Sequence, residues 1–504
     1  MVHTSVFQHK SPFYTSLHSK ERSADYRVFI NGTEAEVYAC RISAYPFNRV
    51  WPGFQRNVDQ TEIASFVNIV SDETITVEIE PKSKNIDGKI MIKPYSKAIQ
   101  WERVGDRIRF QLTENGGYVF QIDDYHELLY LFNNKPLPCE DPDSVTYFFG
   151  AGVHFPGKIR LKSNDVVYLD KDAYVYGCLF AENAENIRIY GNGIFDDSCE
   201  ERMPEAGYDS YVNGNVKFYD CRNLCLEGVG FTNSALWCVS LYHCFDATLD
   251  GIRIFGQWRY NTDGIDTVNC RRIHIKNCFV HSFDDSVTVK GSDLYSHENC
   301  RDILVEGCVL WCDWGKTCEL GLETAAFEYE NITFRNCDVL RGGNTVCDIQ
   351  NGDYADIHHI LFEDLRVDLE AFYTPEVMQR EETQTYEEKD QCQITRILSI
   401  HNKRFREIYA FLGLSQPDSE RKPGDPFYAA VRNVTVRNIS LYCDPTLLDR
   451  FGNGCAKIFL LNAVPTSQFA EIRVENVFLN EKKLSLDKIT ISSEGIEEGT
   501  LIVE

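Results

Sequence analysis

Asn261–Gly291, NTDGIDTVNCRRIHIKNCFVHSFDDSVTVKG, decides the fold. It carries Asp263 after Asn261 and Thr262, then the adjacent pair Asp284 and Asp285 about one short period later. Between them Ile273–Cys278 alternates apolar and polar residues as a half-buried strand does. The pattern recurs on both sides. Ile187–Gly191, Leu224–Gly228 and Ala247–Gly251 precede it; Ile303–Gly307, Ile332–Asn336, Ile360–Asp364, Val434–Asn438 and Ile472–Asn476 follow. Most neighbouring steps are roughly 23 to 30 residues, a solenoid spacing. Each unit ends in Asn, Gly or Asp, which tolerate a left-handed backbone. Such a unit buries its apolar face only by stacking on copies of itself. The expectation is an all-β chain with a parallel β-helix over 149–504. Cys278, Cys308 and Cys337 hold one place in successive units and should form an internal ladder.

Residues 1–148 read differently. Val28–Ile30, Glu36–Tyr38, Phe66–Val70, Ile75–Ile79, Arg107–Phe110 and Tyr118–Ile122 are short strands, with turn signals at Asn31-Gly32 and Asn115-Gly116. They predict an N-terminal β-sandwich domain with an accessory or packing role. Between about 373 and 428 the repeat breaks, and KRFREIYAFL has a helical period. This predicts an insertion that leaves the coil, returns and walls a groove.

The chain has 504 residues, with 51 Lys+Arg against 76 Asp+Glu and a formal net charge of -25. That argues against nucleic acid and anionic membrane as partners, since both demand basic patches. Nineteen cysteines without zinc-type spacing point to free thiols in a reducing compartment. With no apolar leader or membrane-spanning run, the expected location is cytoplasmic. A homo-oligomer is compatible with this reading.

Equivalent side chains on neighbouring coils stand about 4.8 Å apart, so Asp263 and the Asp284–Asp285 pair can share one exposed face. Consecutive strand residues point to opposite faces, so the pair must sit at a turn or bulge. Clustered carboxylates repel, and at least one should keep its proton near neutrality. A protonated acid beside ionised carboxylates is what glycoside hydrolysis requires. The competing reading makes these aspartates turn residues or calcium ligands. No metal and no cofactor is expected for acid/base hydrolysis.

The runs NTDGID and FDDSVTVKG resemble the pectin-type glycoside hydrolases of family 28 and their clan relatives, the dextranases and isopullulanases of family 49. Asn233–Trp237, Ile187–Asp196 and Gly150–His154 resemble flanking segments of that family. The resemblance implies a right-handed coil and single-displacement, inverting chemistry. It assigns Asp284 as general acid and Asp263 with Asp285 as the pair activating water. Asn261 would help hold the cluster, and Lys290 matches a lysine following the pair in many bacterial relatives.

Two departures matter. The region where polygalacturonases carry Gly-His-Gly reads Thr317–Glu323 without His, and the Arg-Ile-Lys segment that grips uronate is replaced by Cys347–Asn351. Asp348 and Gln350 would repel a carboxylate and suit hydroxyls. Phe283 stands where glycine usually precedes the aspartate pair. Glu323, Asp348 and Gln350 are therefore candidate hydroxyl binders, and Trp237, Tyr260 and Trp314 candidate sugar platforms. The leading expectation is an inverting hydrolase of a neutral α-glucan or oligosaccharide. The alternative is a polygalacturonase-type enzyme whose clamp has moved to Lys290 or Arg341. A β-helix lyase and a non-catalytic carbohydrate binder rank below both.

Overall fold

The computed structural model describes residues 3–4, 22–44, 48–50, 61–139, 141–200, 213–369, 377–379, 396–404, 421–443 and 456–504. From Tyr147–Phe149 onward, one 31-stranded sheet winds to Leu501–Val503. Through most of the coil each strand pairs in parallel with the third strand before it and the third after it, so one turn contains three strands and three ladders. This is the expected parallel β-helix. The repeat visible in the sequence is one ladder of the three: Arg222–Glu227, Phe245–Asp250, Arg271–Lys276, Cys300–Glu306, Glu328–Arg335 and Asp356–Glu363. Its inward residues are sealed, Ile273 and Ile275 at 1% and 0% exposure. Burial of such side chains contributes about 1.5–3 kcal/mol each.

The turn residues behave as their chemistry predicts. Gly228, Gly251, Asn277, Gly307, Asn336, Asp364, Asn438 and Asn476 all have positive φ. Their amides also link coils: Asn277 Nδ2 donates to Asp250 Oδ1 at 2.9 Å, and Asn476 Nδ2 to Asn438 Oδ1 at 3.1 Å. Cys278, Cys308 and Cys337 lie buried in the coil core. Every cysteine among the described residues is free.

Upstream, two sheets share a core built from Val28, Ile30, Val67, Ile69, Val77, Phe110, Phe120 and Leu131, as a sandwich requires. Asn31-Gly32 turns Tyr26–Ile30 into Thr33–Ala35 as expected. Asn115-Gly116 does not make a hairpin. It carries the chain from Arg107–Leu112 in one sheet to Gly116–Ile122 in the other. The Glu36–Tyr38 segment straddles a break between Thr33–Ala35 and Tyr38–Ser43.

The outer face of one sandwich sheet packs on the helix. Tyr38, Phe66, Tyr130 and Phe132 meet Phe255, Phe279, Trp311 and Leu340 in one apolar cluster. Arg253, fully buried, reaches from the coil to Asn68 and donates to Gly228 O at 2.6 Å. Tyr130 Oη lies 2.6 Å from His281 Nδ1. The packing role is thus built from aromatic rings around a few polar contacts.

The insertion differs from its expectation. Arg396–Asn402 is a strand of the helix, paired with Thr345–Gln350 and Ala456–Asn462, so the coil is re-entered inside 373–428. Of KRFREIYAFL, residues 405–412 lie outside the described residues.

Candidate active site

Asp263 stands two residues before the strand Ile265–Val268, and Asp285 two residues before Val287–Gly291. Ile265 pairs with Val287, so the two aspartates occupy the same corner of successive coils. Gly264 N–H donates to Asp285 O at 2.8 Å and fixes that stacking. Asp284 precedes Asp285 in the turn between Phe279–Ser282 and Val287–Gly291. Off the strand, consecutive carboxylates can converge. Asp263, Asp284 and Asp285 each bring a carboxylate oxygen within 4.8 Å of the others. Gly315 makes room for them, since a Cβ there would lie 2.2 Å from Asp285 Oδ1 and 2.5 Å from Asp284 Oδ1. Phe283 does not spoil the turn; it is buried against Tyr260.

The same corner one coil later is Lys316, because Val287 pairs with Cys318. Its ammonium is 3.7 Å from Asp285 Oδ1 and 3.2 Å from Glu319 Oε1, and its backbone N–H donates to Asp285 Oδ1 at 2.8 Å. Reading that coil from Thr317 stops one residue short of this lysine. The signal that finds it is the corner register, counted from the strands on either side. Asp266 and Glu319 are the other residues missed. With Thr288 and Asp348 they form an outward-facing row, in register from coil to coil.

Lys290 is no solvated strand residue. Its side chain is 4% exposed, 3.2 Å from Glu323 Oε2 and 3.7 Å from both Asp263 Oδ2 and Asp285 Oδ2. It also donates to Gly321 O at 3.1 Å and lies 4.9 Å from the Trp237 ring centre. Trp237 and Tyr260, at 6% and 3% exposure, offer almost no open face for a sugar. Trp314 is half-buried and keeps some surface. Gln350 donates to Glu319 Oε1 at 2.9 Å. Asn261, half-buried, holds a left-handed φ of 52° just before the cluster. Arg341 is elsewhere. It is in register with Trp311, on the ladder facing the sandwich, and 1% exposed.

Burial raises the Asp263 carboxyl well above its usual range, and repulsion from Asp266 adds to the effect. Asp266 is pushed up to about 7, first by burial. Of the three aspartates, Asp263 is therefore driven toward its protonated form. Burial would also raise Asp285, but Lys316 and Lys290 overcome it and hold that group down at about 2. Asp348 rises to about 6 through burial. The cluster therefore places a carboxyl raised by burial beside one that two lysines hold down.

This charge pairing has a testable sign. Removing an adjacent cation raises a carboxylate by about 1–3 pH units. In Lys316→Met, the acid limb of the kcat/KM profile should move to higher pH by that much, and Lys316→Arg should restore it. Because the folded-state pKa of Asp285 is depressed, its stabilising contribution is present above the unfolded value and lost as pH falls through about 2. In the variant that loss begins at higher pH. A profile with an unmoved acid limb would remove Lys316 from this role.

A cleft of about 1750 Å³ between sandwich and helix, lined by Trp101, Asn115 and Arg253 among others, contains none of these residues. Among the described residues no helix is long and apolar enough to cross a membrane.

Comparison with known proteins agrees with the geometry. The chain is 22% identical over 242 residues to a probable exopolygalacturonase B of Aspergillus fumigatus, covering 43% of this chain and 51% of that protein. A probable rhamnogalacturonase A of Aspergillus oryzae is 23% identical over 176 residues, covering 34% and 36%. The matches thus span about half or less of these relatives' own length. The fold is shared with Dex49A from Penicillium minioluteum, at a TM-score of 0.61, 12% identity and coverage of 96% of this chain and 95% of that one. The family model of the glycosyl hydrolases family 28 matches residues 145–403, a span that contains the whole aspartate corner, and the chain belongs to that family.

Proposed function

We propose that the chain hydrolyses α-glycosidic bonds of a neutral glucan or oligosaccharide. Asp284 protonates the leaving oxygen and Asp285 activates water. Asp263, whose carboxyl is raised by burial, holds that water beside Asp285. The observation that carries the neutral-sugar reading is the charge of the site. Asp263, Asp266, Asp284, Asp285, Glu319, Glu323 and Asp348 surround two ammoniums, Lys290 and Lys316, and both are already engaged by carboxylates. A uronate carboxylate entering here would find both ammoniums already committed and would face the ionised Asp285, whereas sugar hydroxyls can donate to these carboxyls. The free thiols favour a reducing compartment, and so a short imported substrate.

A galacturonate substrate is the second reading, favoured by the names of the matched relatives and by one feature of the far end of the row. There burial, followed by the charges of Arg396, Lys316 and Lys403, pushes His401 down to about 4. The test is product release from matched panels of neutral α-gluco-oligosaccharides and oligogalacturonates. Cleavage confined to the first supports the proposal; cleavage of the second assigns the clamp to the Arg396–Lys403 end.

Inversion rests on the resemblance alone. The carboxylates approach within 4.8 Å, closer than the about 6.5–9.5 Å of the usual inverting pair. Proton NMR of the first-formed anomer decides it.

A further inference from the structure

On the outer wall of the coil, Glu328–Arg335 pairs with Asp356–Glu363 and sets Glu330 directly beside His358. His359 follows. On a flat strand it would point away from His358, but its φ of 54° belongs to the repeating bulge also seen at Asp302 and Asn331. The bulge brings both imidazoles to one side, with ring centres 4.8 Å apart and planes at 75°. Their Nδ1 atoms converge to 2.5 Å.

The other nitrogen of His358 settles which atom is available. Nε2 lies 2.7 Å from Glu328 Oε1. An ionised carboxylate only accepts, so Nε2 carries the hydrogen, and neutral His358 presents a lone pair at Nδ1. A carboxylate behind an imidazole is the arrangement that orients histidine toward a metal. Ligand atoms of Glu330, His358 and His359 all lie within 4.8 Å of one another. The neighbouring guanidiniums are drawn elsewhere: Arg432 is 3.0 Å and Arg421 3.4 Å from Asp356 Oδ2.

We propose that His358 Nδ1, His359 Nδ1 and the Glu330 carboxylate bind one divalent transition-metal ion of the zinc type. Two imidazoles and a carboxylate suit zinc, nickel or copper rather than calcium or magnesium. Zinc–nitrogen bonds of about 2.0–2.1 Å would open the Nδ1–Nδ1 separation to roughly 3.3 Å, a small swing of the exposed His359 ring. The ion staples two neighbouring coils on the outer wall, and three protein ligands leave a further position for water. The site is independent of the hydrolytic reading.

The experiment titrates metal-free protein with Zn²⁺ by calorimetry and with Co²⁺ by visible absorption, alongside His359→Ala and Glu330→Gln. His359 is exposed, so its removal should leave the fold and circular dichroism unchanged. One equivalent should bind wild type, at least about tenfold more weakly in each variant, and Zn²⁺ should raise the Tm of wild type but not of His359→Ala. The Co²⁺ spectrum should show d–d bands without thiolate charge transfer. Equal affinity in wild type and His359→Ala, a thiolate signature, or no saturable binding to wild type would each overturn the site.

Discussion

Asp284→Asn is expected to lower kcat between about 10²- and 10⁴-fold, the range of a lost general acid. Asparagine keeps the shape of a side chain that is 8% exposed and wedged against Gly315, so the melting temperature should change little. What disappears is the transferable proton. The discriminating measurement compares a natural oligosaccharide with an aryl glycoside whose leaving group departs without protonation. The deficit should shrink on the aryl substrate. An equal loss on both would mean that Asp284 positions substrate and is not the acid.

Lys290→Met should cost stability more than any single carboxylate change in the cluster. The ammonium is buried among Asp263, Asp285 and Glu323, and it touches the backbone at Gly321. Burial alone would lower its pKa, yet those carboxylates raise it well above its ordinary value. Methionine fills the volume and removes the charge. Breaking a buried ion pair from one side typically costs about 3–5 kcal/mol, and urea unfolding at neutral pH should read a loss of that order. The loss has a pH sign. Unneutralised carboxyls gain raised folded-state pKa values, so their contribution is favourable at low pH and is lost as pH rises through those values. The gap between variant and wild type should therefore be wider at pH 8 than at pH 5. A gap that is constant across that range would mean methionine fails by packing rather than by charge.

The fold was legible because one ladder announces itself. Alternation ending in Asn, Gly or Asp marks Arg271–Lys276 and its partners, where every second side chain is sealed and the turn residue is left-handed. The other two strands of each turn, such as Phe279–Ser282 and Val287–Gly291, are short and buried on both faces, so polar residues such as Thr288 and Lys290 mark no solvent face. Arg396–Asn402, mostly buried and inside the expected insertion, shows no residue of the Asn, Gly or Asp kind that marks the first ladder until Asn402.

The candidate site was half legible. Asp263, Asp284 and Asp285 are found from their motif and spacing. Lys316 lies outside that motif, and Asp266 lies within it but was not singled out. Each matters because of what the adjacent coil places beside it, and that depends on register. Aromatic residues misled in the opposite direction: Tyr260 looks like a sugar platform in sequence, but Phe283 covers it.

By itself, the sequence determined the repeating coil, the sandwich before it and the three clustered aspartates. Periodicity and residue chemistry are local properties, and those features follow from them. Only the tertiary structure decided which carboxyl is raised and which is held down. That choice depends on burial and on the distances of Lys290 and Lys316, which are set by parallel register between coils remote in sequence.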